Sequence, residues 1–148
     1  MDKVTSDLMI CYYRLSSEDG DVARGNAAES FSISAQRLCV RNFLASHPDL
    51  EGTVEEIVDD GYTGTNMNRP GMQRLLSLVK SGSVKTVIVR DLSRFSRSFL
   101  ESGHYLEFVF PAYGVRFISI NDHFDSADYG ESTGGLELGI TNLLNQLY

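Results

Sequence analysis

Apolar and polar positions come in short blocks along the chain, and the blocks predict an alternation of strands and helices. "LMICYY" (Leu8–Tyr13) is apolar throughout and too short for a helix, which predicts a buried strand. An acidic loop containing Gly and Ala follows, from Glu18 to about Ser30. In "SISAQRLCVRNFLASH" the residues Ile33, Leu38, Val40, Phe43 and Leu44 fall near helical spacing, with Ser32 or Ser34 as cap and Pro48 beyond the end. "TVEEIVDDG" reads as a second strand stopped by Gly61, and the loop "GYTGTNMNRPG" leads into a helix around Met72–Lys80, with Leu75, Leu76 and Val79 on one face. "KTVIVRDL" is a β-branched strand ending in charge. A helix from about Ser98 to Tyr113 carries Leu100, Tyr105, Leu106, Phe108 and Val109, and "VRFISIND" is a further strand. "STGGLELGITNLLNQLY" spaces Leu136, Ile140, Leu143, Leu144 and Leu147 as a last helix, behind a Ser132 or Thr133 cap.

Strands alternating with helices predict an α/β fold, a central, mainly parallel sheet flanked by helices, as one domain over residues 1–148. There is no internal repeat, low-complexity segment or linker. The last helix reaches Tyr148 with its apolar stripe still running and no cap, which reads as a truncated long helix and the front part of a longer protein. That stripe is expected to pack against another subunit.

Composition leaves this picture intact. Hydrophobic content of 42% and charged content of 22% are globular values. No apolar run approaches the roughly 18–20 residues that span a bilayer, and Asp2, Lys3 and Asp7 interrupt any signal peptide, so no membrane partner is expected. Cys11 and Cys39 read as buried, reduced thiols and fit a cytoplasmic protein.

Charge changes it more. The net value is −7, yet from Arg69 to Arg97 seven basic residues face one acid, Asp91, a window of +6 that leaves −13 on the rest. A local positive field on an acidic body suits an anionic substrate held at one place, and a solvated basic face is the alternative.

Several chemistries are absent. There is no G-x-x-x-x-G-K-[ST] loop, no G-x-G-x-x-G after a strand, no G-x-S-x-G elbow and no H-E-x-x-H. His47, His104 and His123 sit in unrelated segments, and the cysteines lack zinc spacing. "GESTGG" (130–135) reads as a loop and cap, with a phosphate at a helix start as the alternative. Arginine remains. Arg14 precedes Ser16 by two residues at the end of the first strand, and "RDLSRFSR" places Arg90, Arg94 and Arg97 past a neighbouring strand. Arg94 and Arg97, three apart, are expected to share one face of a helical turn. Ligands of open α/β sheets bind at strand carboxyl ends, which would gather Arg14, Ser16, Arg94 and Arg97. Guanidinium forks match phosphate oxygens, so a serine among arginines suggests a nucleophile facing a phosphodiester.

Four motifs in order make the pattern specific. "YYRLSSEDG" resembles the Y-x-R-x-S opening of serine site-specific recombinases, the resolvase/invertase group, and "SISAQ" resembles that family's S-[IL]-x-x-Q. "DGYTGTNMNRPGM" is similar to D-x-x-[ST]-G…R-x-G, and "VIVRDLSRFSR" to a strand followed by D-R-[LF]-x-R. The acidic insertion after Ser17 and the form "DLSRFSR" look most like the large serine recombinases of mobile elements. The resemblance implies a resolvase-like catalytic domain that cuts double-stranded DNA at recombination sites and rejoins it. Ser16 would be the nucleophile, forming a 5′-phosphoseryl link and releasing a 3′-OH. It implies phosphate-clamping roles for Arg14, Arg94 and Arg97, and secondary DNA-phosphate positions at Gln36, Thr63, Arg69 and Lys80. It implies no metal and no nucleotide, and a homodimer that becomes a tetramer in the synaptic complex. Ser17 is the competing serine, with a turn or cap as its alternative role.

Two departures stand out. The Asp that the family places before the first Arg of D-R-[LF]-x-R is Ser93 here, and Asp91, if on a strand, lies two residues away from that place. Family members also continue into further acidic and arginine residues and DNA-binding domains past the position of Tyr148. Two other classes stay open on the residues alone: a non-catalytic oligomerisation module of the same fold, and a serine-dependent hydrolase of small esters.

Overall fold

The computed structural model describes residues 7–15, 31–62, 66–129 and 133–148. Strands β1 (Leu8–Leu15), β2 (Thr53–Asp60), β3 (Val84–Val89), β4 (Arg116–Ser119) and β5 (Phe124–Asp125) form one sheet in the order β2-β1-β3-β4-β5. All neighbours are parallel except β4 and β5. The α/β expectation therefore holds, and β5 with the 3-10 turn Ser126–Tyr129 adds a small antiparallel edge that the sequence pattern did not announce.

Side chains on successive strand residues point to opposite faces, so the apolar run of β1 serves two cores. Ile10 and Tyr12 enter a core shared with α2 (Pro70–Lys80) and α6 (Thr133–Leu147), whereas Cys11, Tyr13 and Leu15 enter one covered by α1 (Phe31–Ser46). β3 splits likewise, with Val87 and Val89 on the α2 face and Ile88 on the α1 face. A strand buried on both sides reads as unbroken apolar sequence, which is why "LMICYY" and "TVIV" were legible.

Asp59 fixes the start of α2. Its two carboxylate oxygens accept the backbone N–H of Gly71 at 2.7 Å and of Met72 at 2.9 Å, and Oδ2 also accepts the Tyr12 hydroxyl at 2.6 Å. A Cβ on Gly71 would lie 2.8 Å from both oxygens, so this close approach admits only glycine. Pro70, in the first turn, needs no amide donor, and the helix begins there rather than at Met72.

The helix expected over Ser98 to Tyr113 is interrupted. α4 (Phe99–His104) passes into a π-helical turn (Tyr105–Val109) before α5 (Phe110–Ala112). Pro111 lacks an N–H and its ring would collide with the Glu107 carbonyl in a regular helix; the wider turn accommodates it. Ser98 caps α4 by accepting Glu101 N–H. Ser32 and Ser34 fall inside α1, which starts at Phe31, so neither caps it, and Thr133 is the first residue of α6 rather than its cap. Ser132 and the acidic loop lie outside the described residues.

Not every apolar residue in the helical spacing is core. Leu38, Leu100 and Phe108 are exposed. Conversely Ile140, Leu143 and Leu144 of α6 are buried in this chain's own core, so most of the stripe expected to meet another subunit is already used. Cys11 is buried and Cys39 half-buried, and both are free thiols. No helix among the described residues is long and apolar enough to cross a membrane.

Candidate active site

The carboxyl ends of β1 and β3 meet around the Arg14 peptide and side chain. Arg14 lies within β1, not past it, and is fully buried. Gln36, also fully buried on α1, holds the Arg14 peptide from both sides: its Oε1 accepts Arg14 N–H at 3.2 Å, and its Nε2 donates to Arg14 C=O at 3.0 Å. The next residue joins the loop after β2, because Leu15 C=O accepts Gly61 N–H at 2.6 Å and Tyr62 N–H at 3.1 Å.

The Arg14 guanidinium then binds three backbone carbonyls. Nε donates to Arg94 O at 3.0 Å, Nη1 to Tyr62 O at 3.0 Å and Nη2 to Ser93 O at 2.6 Å. Arg94 answers through its side chain, Nη1 donating to Arg14 O at 3.2 Å. One arginine thus ties together β1, the loop after β2 and the segment after β3. Burial, with Arg69, Arg97 and Arg94 close by, pushes its pKa down to about 10. It remains a cation at neutral pH.

Arg94 sits on α3 (Leu92–Phe95), which ends at once: Ser96 is extended at φ −157°, ψ 145°. Arg97 therefore does not share a helical face with Arg94, contrary to the three-residue spacing. Arg97 lines a cavity of about 330 Å³ with Asp91, Ser93, Asp122, Leu147 and Tyr148, and it stands close enough for its charge to act on Arg14. The Tyr148 hydroxyl donates to Ser96 O at 2.7 Å, fastening α6 to the residue before Arg97.

Asp91 also departs from expectation. β3 stops at Val89, so Asp91 is not on a strand, and its carboxylate accepts the Ser93 hydroxyl. The side chain at the substituted position and the nearby acid are in contact.

Arg69 is 1% exposed and stands behind the site. Nη2 donates to Phe95 O at 2.6 Å, and the guanidinium lies over the Tyr12 ring, 5.7 Å from its centroid. Burial lowers its pKa, while Tyr12, Asp59 and Glu101 favour the cation. The structure brings Arg14, Gln36, Arg69, Arg94 and Arg97 together. Lys80 is not among them: it is exposed in the last turn of α2, whose first turn adjoins Asp59 at the site edge of the sheet. At 1.5 Å per residue the helix carries Lys80 roughly 15 Å away. Ser16, Ser17 and Thr63 lie outside the described residues; the described chain stops beside them, at Leu15 and Tyr62. Among the described residues no group of His, Cys, Asp and Glu is placed to hold a metal.

Sequence reasoning missed Tyr12, Asp59, Asp122 and Tyr148. Strand alternation could have found the first two, since Tyr12, Arg14 and Asp59 share one sheet face and Arg14 pairs in register with Asp59. Nothing local marks the others.

A mainly parallel sheet with buried arginines at its carboxyl edge makes an α/β domain with a cationic site suited to an anion. Residues 9–148 match the family described as the resolvase N-terminal domain, and the chain belongs to that family. No curated protein matches its sequence. Among solved structures it is similar to the N-terminal catalytic domain of TP901-1 integrase, with TM-score 0.70 and 26% identity over 94% of this chain and 92% of that one. A resolvase family site-specific recombinase from Streptococcus pneumoniae aligns with TM-score 0.64 and 26% identity, covering 95% and 92%. The C-terminal catalytic domain of ISC1926 TnpA, an IS607-like serine recombinase, shares the fold at TM-score 0.59 and 21% identity, covering 92% and 80%. The chain is a serine recombinase domain.

Proposed function

We propose that this domain cuts and rejoins double-stranded DNA at specific sites, with the Ser16 hydroxyl as nucleophile. The observation that carries this reading is the guanidinium cluster at the β1 and β3 ends, where the buried Arg14 exchanges hydrogen bonds with Arg94, and Arg69 and Arg97 stand close enough for their charges to act on Arg14. Such a cluster favours the extra negative charge of a five-coordinate phosphorus. Ser16 Oγ bonds to phosphorus and gives up its proton to a base. The phosphorus–O3′ bond breaks and the leaving oxygen takes a proton, giving a 5′-phosphoseryl link and a free 3′-OH. The reverse attack by a 3′-OH rejoins the strand, so no nucleotide need supply energy.

Roles divide by what each arginine touches. Arg14 holds three carbonyls and frames the site, whereas Arg94 and Arg97 are the clamps for the scissile phosphate. Gln36 and Arg69, both buried, support the frame. Thr63 lies beside the frame in sequence, next to Tyr62, and Lys80 has no place in it. The setting is cytoplasmic DNA, approached as a homodimer that pairs into a tetramer, in excision or insertion of a mobile element.

Trapping of protein–DNA adducts on a site-bearing duplex tests the assignment. Adduct should vanish in Ser16→Ala and persist in Ser17→Ala; the opposite pattern refutes it.

A further inference from the structure

An aspartate at a helix start ordinarily accepts amide hydrogens of the first turn. Asp91 stands just before α3 and caps nothing. Asp122, in the turn after β4, takes the amide instead: its Oδ2 accepts Leu92 N–H at 2.7 Å and the Ser119 hydroxyl at 2.6 Å. The Asp91 carboxylate is thereby left to side chains. Its Oδ2 accepts Arg90 Nε–H at 3.0 Å and lies 3.5 Å from Arg94 Nε, while Oδ1 accepts the Ser93 hydroxyl.

Arg94 needs an anchor on that edge. Its Nη1 is committed to the Arg14 carbonyl, and its Nε is buried without a hydrogen bond. Among the described residues Asp91 is the one carboxylate within ion-pair distance of it. We propose that Asp91 is a positioning residue for Arg94: its carboxylate fixes the Nε side of the guanidinium while the Arg14 carbonyl holds Nη1, which directs Nη2 to the substrate phosphate. The assignment deepens the recombinase reading and rests on it.

Charge supports the same role. Burial disfavours the carboxylate, but the Ser93 hydroxyl, the Arg94 charge and Arg90 outweigh it and hold its pKa below the ordinary aspartate range. Asp91 is thus an anion at neutral pH and acts as a fixed charge, not as a proton donor. A fixed anion also offsets the repulsion among the neighbouring arginines before DNA arrives.

The test compares wild type, Asp91→Asn and the double variant Asp91→Asn/Ser93→Asp, which returns a carboxylate two residues along. At saturating duplex, Asp91→Asn should slow single-turnover cleavage about 10- to 100-fold, somewhat less than outright loss of a transition-state donor. Duplex affinity should stay at the wild-type value, Tm should fall by a few degrees because the folded state favours the Asp91 anion, and the double variant should recover most of the rate. Equal cleavage by Asp91→Asn and wild type overturns the proposal, as does a loss that the second carboxylate leaves unrepaired. A second readout needs no cleavage. In ¹⁵N-labelled protein the Arg94 Nε–H should exchange slowly, exchange faster in Asp91→Asn, and slow again in the double variant; unchanged exchange overturns the proposal. Absence of any Ser16 adduct in wild type would instead sink the recombinase chemistry, and the exchange measurement would still decide Asp91.

Discussion

Replacing Asp59 by alanine should destabilise the protein more than any surface change, through three bonds lost at once. The carboxylate accepts two backbone amides at the start of α2 and the buried Tyr12 hydroxyl. Hydrogen bonds to a charged acceptor contribute about 1.5–3 kcal/mol each, and the low end suits three that share one group, so about 4 kcal/mol is expected. For a chain of this size each kcal/mol moves Tm by about 2–4 °C, which converts to a fall of about 8–16 °C. Urea unfolding followed by circular dichroism measures the loss as a shift in midpoint at constant slope. Tyr12→Phe removes one of the three bonds and keeps the packing, so its loss should be about a third as large. A Tm within about 2 °C of wild type for Asp59→Ala would refute the reasoning. It would mean that water or relaxation of α2 replaces the carboxylate without penalty.

Two further outcomes follow from the charges. Glu56 titrates below its ordinary value although burial opposes this, because it accepts Tyr13 and Arg37 hydrogens; Asp125, paired with Arg116, is lowered in the same way. Depressed folded values stabilise the protein above the unfolded carboxylate pKa and lose that contribution as pH falls through the folded values, so the urea midpoint should fall below about pH 4.5. Glu56→Gln should flatten part of that slope, and an unaltered slope counts against the pairing. Arg94→Ala and Arg97→Ala should each slow strand cleavage by ~10²-fold or more with little change in DNA affinity, read by single-turnover kinetics and titration. Near wild-type cleavage by either variant removes that residue from the clamp.

What the sequence revealed depended on the length over which a pattern persisted. β1, α1, α2, β3 and α6 each carry enough periodic or apolar positions to announce themselves, although Pro70 and Gly71, read as loop, belong to the first turn of α2. α3 spans four residues, too few to reveal that Ser96 would turn extended and separate Arg94 from Arg97. β5 has two residues, too few for a pattern, and the Arg116–Asp125 pair spans its hairpin. The gathering of Arg14, Arg94 and Arg97 was legible from strand order and family resemblance. That the Arg14 guanidinium would spend itself on carbonyls, and that Arg69 would be buried behind the site, was not: both depend on loop carbonyls whose direction no sequence pattern encodes.

The three carbonyls gripped by Arg14 belong to residues 62, 93 and 94, some 50 to 80 positions further along the chain. Parallel pairing of β1 with β2 and β3 must come first, and such long loops close slowly relative to local helices. A ribosome still extending the chain holds Arg14 with none of these partners yet made. The three bonds of Arg14 form only once both parallel pairings are in place. The arginine arrangement is thus a property of the completed sheet, and no short stretch of the chain carries it alone.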